Sequence, residues 1–115
     1  MKPGDSPYQI QVRAWRDEQP GDDPVLHLSV RLDPRANADP WPGLRLAGLR
    51  LATGASEWTP TRQSMESAGV GAFEVRANGE PTLEAGVEAV LSLALDTARG
   101  RKKIEISGIE VELVQ

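Results

Sequence analysis

The side chains that could carry chemistry in this chain are few. There is no cysteine and a single histidine, His27. Thiolate nucleophiles, disulfides and Cys/His metal centres therefore have nothing to be built from. His27 stands between Leu26 and Leu28, where an alternating strand turns its side chain outward, and it reads as a surface histidine on a sheet. Ser6, Ser29, Ser56, Ser64, Ser67, Ser92 and Ser107 have no base in a recognisable relation to them. The stretch GVGAF from Gly69 is short, leads into a strand and lacks the lysine of a phosphate-binding loop. The expectation is a protein that is not an enzyme and holds no cofactor.

Binding has better resources. Asp17, Glu18, Asp22 and Asp23 crowd one loop and could offer oxygen ligands to calcium, a hard cation. Glu80 and Glu84 should lie at the same end. The spacing matches no calcium loop, and acidic turns are ordinary on soluble proteins. Asp17, Asp22 and Asp23 thus form a weak calcium candidate, and no metal is expected. At the opposite end, residues 33–43 should meet the turn 97–103. The first segment brings Arg35, Asn37 and Trp41, which stands between two prolines; the second brings Arg99, Arg101, Lys102 and Lys103. Tryptophan beside a basic cluster is the composition of a recognition tip, because aromatic and arginine anchors dominate interface energies. The competing reading folds Trp41 back as a plug for the end of the domain. Trp15, Trp41 and Trp58 are the only resources for an aromatic sugar-binding face.

The elements that must position these residues follow from period-2 alternation. Residues 86–96 read GVEAVLSLALD, with Val87, Ala89, Leu91, Leu93 and Leu95 on one face. A helix over 84–99 would align Val87, Val90, Leu91, Ala94 and Leu95 but leave Leu93 on the wrong side; the strand is preferred. After a turn containing Gly100, Ile104 and Ile106 alternate with Lys103 and Glu105, then Ile109, Val111 and Leu113 with Glu110 and Glu112. This pair is expected to be a long hairpin with its first strand central. Earlier strands are predicted over 8–16 (Tyr8, Ile10, Val12 and Ala14 inward), 25–33 (Leu26, Leu28, Val30 and Leu32 inward), 44–52, 57–59 and 72–76. The apolar phase shifts at Gly48 and Gly108, the mark of bulges. Three prolines make 33–43 a long rigid loop. Residues 1–7 read as a flexible arm, residues 61–70 as irregular, and Asn78-Gly79 as a tight turn.

The chain has 115 residues and a net charge of −4. That suits one domain, residues 8–115, with a core of its own, and argues against nucleic-acid binding by the whole surface. MKPGDSPYQI has no apolar signal-peptide core, and no run approaches membrane-spanning length; no membrane association and a cytoplasmic location are expected.

About seven short strands with turn signals roughly every dozen residues read as an all-β sandwich. In outline the chain resembles immunoglobulin-like and fibronectin-III-like modules, on strand count and on the closing pattern of glycine, apolar strand, hairpin and final strand. The resemblance implies a sandwich of antiparallel strands. The inter-sheet cysteines of antibody domains are missing, and function does not follow from such a fold. The best expectation is a non-catalytic module that binds an unknown protein partner through loops at one end. The alternative is a protease inhibitor: Gly69-Val70-Gly71-Ala72 resembles part of the glycine-rich middle loop of chagasin-type inhibitors, whereas RANADPWPG and TARGRK lack the asparagine-proline-threonine and arginine-proline-aromatic motifs of their other two loops. A further alternative is carbohydrate or small-ligand binding. Finally, LRLAGLRL (44–51) and IEISGIEV (104–111) match in pattern with opposite charge, which suggests a homodimer joined through an edge strand.

Overall fold

The computed structural model describes residues 1–114. It contains eight strands: β1 (Tyr8–Asp17), β2 (Val25–Pro34), β3 (Arg45–Ala52), β4 (Glu57–Trp58), β5 (Arg62–Gly69), β6 (Ala72–Gly79), β7 (Glu88–Thr97) and β8 (Gly100–Val114). They form one curled sheet in the order β4-β3-β7-β8-β1-β2-β6-β5. The fold is all-β, as the alternation predicts, and residues 88–97 are a strand rather than a helix. No helix among the described residues is long and apolar enough to cross a membrane.

Two features depart from seven antiparallel strands. The eighth strand is β5, where irregular chain was expected. Its residues are mostly exposed, so no buried face imprints an alternation on the sequence. The second departure is the junction of the two halves of the sheet. β8 pairs antiparallel with β7 over most of its length, then runs parallel to β1, with Ala14 to Asp17 opposite Val111 to Val114. A bulge makes this possible. Ala89 faces Ile109 and Leu91 faces Ile106, so Ser107 and Gly108 together oppose one residue of β7. Gly108 sits at φ 76°, a conformation glycine adopts without steric cost. The extra residue turns the following side chains over, so that Ile104 before it and Ile109 and Val111 after it all reach the core. β3 carries a similar shift between Leu46 and Gly48, opposite β7.

The core lies inside the curl. Leu26, Leu28, Val30 and Leu32 of β2 meet Leu91, Leu93 and Leu95 of β7, with Tyr8, Leu51, Trp58, Val75, Leu83, Ile104 and Val111 around them. Each is essentially excluded from water, and burying a side chain of this size contributes about 1.5–3 kcal/mol. Asn78 and Gly79 make no turn; they continue β6 opposite His27 and Leu26. Gly79 serves close approach instead: a Cβ there would lie 2.9 Å from the backbone nitrogen of Thr61.

Residues 1–7 lie against β8. The Met1 amine donates to Lys103 O at 2.7 Å, and Glu105 N donates to Met1 O at 3.1 Å. Pro3–Asp5 form a 3-10 turn, and Ser6 is buried. β8 is thus flanked by β7, β1 and this segment. Within the chain β7 lies between the stretches 44–51 and 104–111, and β8 is an interior strand of the sheet.

Candidate functional site

One end of the molecule gathers the β2–β3 loop, the β5–β6 turn and the β7–β8 turn. Tyr8, the first residue of β1, organises it. Its carbonyl accepts from Arg35 Nε at 3.0 Å, and its hydroxyl accepts from Trp41 N at 3.1 Å. The Trp41 ring meets the Tyr8 ring edge-on, centroids 5.5 Å apart. Lys102 Nζ lies 5.9 Å from the centre of the Trp41 ring, within cation–π range. Trp41 is half-buried and packs against the core. Burial pushes the Tyr8 phenol above its ordinary pKa, and the hydrogen bond from Trp41 draws it partly back.

The prolines hold the β2–β3 loop to its neighbours. Ala98 N donates to Pro42 O at 2.8 Å, tying the loop to the β7–β8 turn. That turn is closed by Thr97, whose hydroxyl donates to Gly100 O and accepts from Arg99 N. On the other flank, a Cβ on Gly71 would lie 3.3 Å from Pro34, so the β5–β6 turn abuts the start of the loop and presents Val70 fully to solvent.

The six tip residues fall into three groups. Trp41 is folded inward with Lys102 over it. Arg101 is taken by Asp96, with contacts of 2.8 and 3.3 Å, and its guanidinium holds the Asp96 carboxyl below the usual range. Arg35, Asn37 and Arg99 are exposed, Asn37 at φ 62°. Val70 joins them unannounced by charge or aromaticity; only the flanking glycines of GVG mark it as a turn apex.

The acidic loop, β1 to β2, lies at the opposite end. Arg16 already provides the cation there: it pairs with Glu18, stands 3.8 Å from Glu84, and donates to Leu83 O at 3.2 Å. Asp17 accepts from Gln19, while Asp22 and Asp23 are exposed. Among the described residues no three acidic or histidine side chains converge on a metal position. The three tryptophans do not share a face. Trp58 is buried and donates to Glu80 O. Trp15 lies on the outer face of β1, stacked on His27 at 5.1 Å, with the Arg13 guanidinium 4.9 Å from its ring centre.

Two hollows remain. A trough of about 540 Å³ crosses the outer face of β3, β7 and β8, with Gly48, Ser92 and Ala94 on its floor and Arg50, Lys103 and Glu105 at its sides. A cleft of about 370 Å³ opens between the start of β3 and the edge of β5, lined in part by Leu44, Leu46, Met65 and Phe73. Comparison of the chain with protein-family models, curated proteins and solved structures finds no match.

Proposed function

We propose that this chain is a non-catalytic binding module of immunoglobulin-like type that docks an acidic segment of a protein partner on its basic, three-loop end. The supporting observation is the segregation of charge along a body 46 Å long. Asp17, Glu18, Asp22, Asp23, Glu80 and Glu84 outnumber Arg16 and Arg62 at one end; at the other, Asp96 and Asp33 are held by Arg101 and Arg31, which leaves Arg35, Arg99 and Lys102 against the exposed carboxylate of Asp39. An anionic partner is attracted to one end and repelled from the other, so it approaches already oriented. Trp41 stiffens the basic end as a plug, and the exposed cations make the contact.

A fluorescent decaglutamate peptide tests this reading. Binding should weaken steeply with salt, and the double variant Arg99→Glu, Lys102→Glu should weaken it at least about tenfold. Arg50→Glu, on the side of the sheet, should not. No binding at low salt, equal loss with Arg50→Glu, or tighter binding of an oligothymidylate of the same charge overturns the proposal.

The second reading, protease inhibition, is favoured by Val70 standing fully exposed at the end that also carries the other two loops, with its turn against Pro34. Papain inhibition that is lost in Val70→Asp and insensitive to Arg99→Glu would replace the first reading with this one.

A further inference from the structure

The two edges of the sheet are protected unequally. At one edge β4 is only two residues long, and Pro60 follows it closely. Short edge strands and prolines are common protections against pairing with another chain. At the other edge β5 is eight residues long, contains no proline or lysine, and keeps regular register with β6 from Arg62 to Ser67. It is the terminal strand of the sheet, so one side of its backbone has no strand partner.

The charges on β5 are also incomplete. Arg62, Ser64 and Glu66 are all exposed and lie on the outer face, opposite Asn78, Arg76 and Glu74. Among the described residues neither Arg62 nor Glu66 forms an ion pair, while Glu74 is neutralised by Arg76 at 3.0 Å. Glu66 therefore faces a carboxylate across the strand pair and shares the one nearby cation, Arg76, with it, an arrangement a further cation would improve.

We propose that β5 pairs antiparallel with β5 of a second copy of this chain, about a two-fold axis through Ser64. Antiparallel pairing places residues of the same outward or inward side opposite each other, so only registers with like parity are allowed. The register centred on Ser64 sets Arg62 against the partner's Glu66, and Glu66 against the partner's Arg62. Shifting the axis by one residue either way loses both pairs. Gln63 and Met65 then face each other on the inner side, across the mouth of the cleft beside Leu44 and Leu46. The interface is isologous, as a closed dimer requires.

The absence of native cysteine makes the register directly readable. On the axis, residue 64 meets its own copy at a Cα separation compatible with a disulfide. Ser64→Cys should oxidise to a covalent dimer. Arg62→Cys and Glu66→Cys should each remain monomeric after oxidation, yet form a mixed disulfide when combined. In sedimentation equilibrium, Arg62→Glu should raise the dimer dissociation constant at least about tenfold, since it sets carboxylates opposite one another at both ends of the interface. The double variant Arg62→Glu, Glu66→Arg should restore dimerisation, because the pairs re-form with signs exchanged. Circular dichroism should be unchanged throughout, as these positions are exposed. A native chain that stays monomeric up to millimolar concentration overturns the proposal. So does a disulfide dimer of Arg62→Cys without one of Ser64→Cys, or a charge swap that fails to restore association.

Discussion

Tyr8 concentrates more dependence than its single hydroxyl suggests. Its ring is fully buried, its oxygen accepts the Trp41 backbone N–H, and its carbonyl accepts Arg35. Tyr8→Phe keeps the packing and removes the acceptor. The expected cost is about 1–2 kcal/mol, most of it the desolvated N–H left without a partner. Trp41→Ala should cost more, about 2–3 kcal/mol, below the roughly 3–5 kcal/mol of a fully buried aromatic because Trp41 is only half-buried. pH separates the two effects. Burial raises the folded-state pKa of Tyr8 above the ordinary 10.0. Its contribution is then complete below pH 10 and is lost as pH rises from there through the folded value. Thermal melts above pH 10 should fall more steeply for the native chain than for Tyr8→Phe. Parallel alkaline limbs would show that Tyr8 does not titrate across unfolding.

Among the elements, β6 is where sequence and structure part most clearly. Asn-Gly is a strong hairpin signal, yet at 78–79 the strand runs on. Gly79 has no positive φ; the missing Cβ admits the chain at Thr61. Gly79→Ala should therefore destabilise by about 1–3 kcal/mol through overpacking, measurable as a lower denaturant midpoint with unchanged slope. A neutral substitution would mean that Thr61 yields without cost. The strands that line the core were legible because burial writes a period of two: β2 and β7 alternate in burial up to their last residue. Gly48 and Gly108 were legible as bulges because the apolar phase changes there. β5 was not, since a strand exposed on both faces needs no apolar alternation. The tip was legible in composition but not in orientation. Whether Trp41 points in or out depends on Tyr8, thirty-three residues away, and no local pattern encodes that.

On the scale of the whole molecule, the two halves of the sheet are joined by a strand rather than by loops alone. β8 belongs to both, and its last four paired residues run alongside β1 in the same direction. β1 begins at the basic end, while β8 finishes at the acidic one. Tension applied between Tyr8 and Val114 would therefore pull the two strands past one another along their length. The hydrogen bonds that join Ala14 to Asp17 with Val111 to Val114 would be loaded together in shear, not opened one after another. Hairpin β1–β2, held at Asp17 and Val25, would instead peel from one end under tension applied at those residues. Single-molecule pulling should give a markedly higher rupture force for the first pair of attachment points than for the second, with forced unfolding governed by the unfolding barrier rather than by equilibrium stability. Equal forces would mean that the parallel contact carries no load. Built this way, the domain should hold against a pull between Tyr8 and Val114 that would open a hairpin from its end.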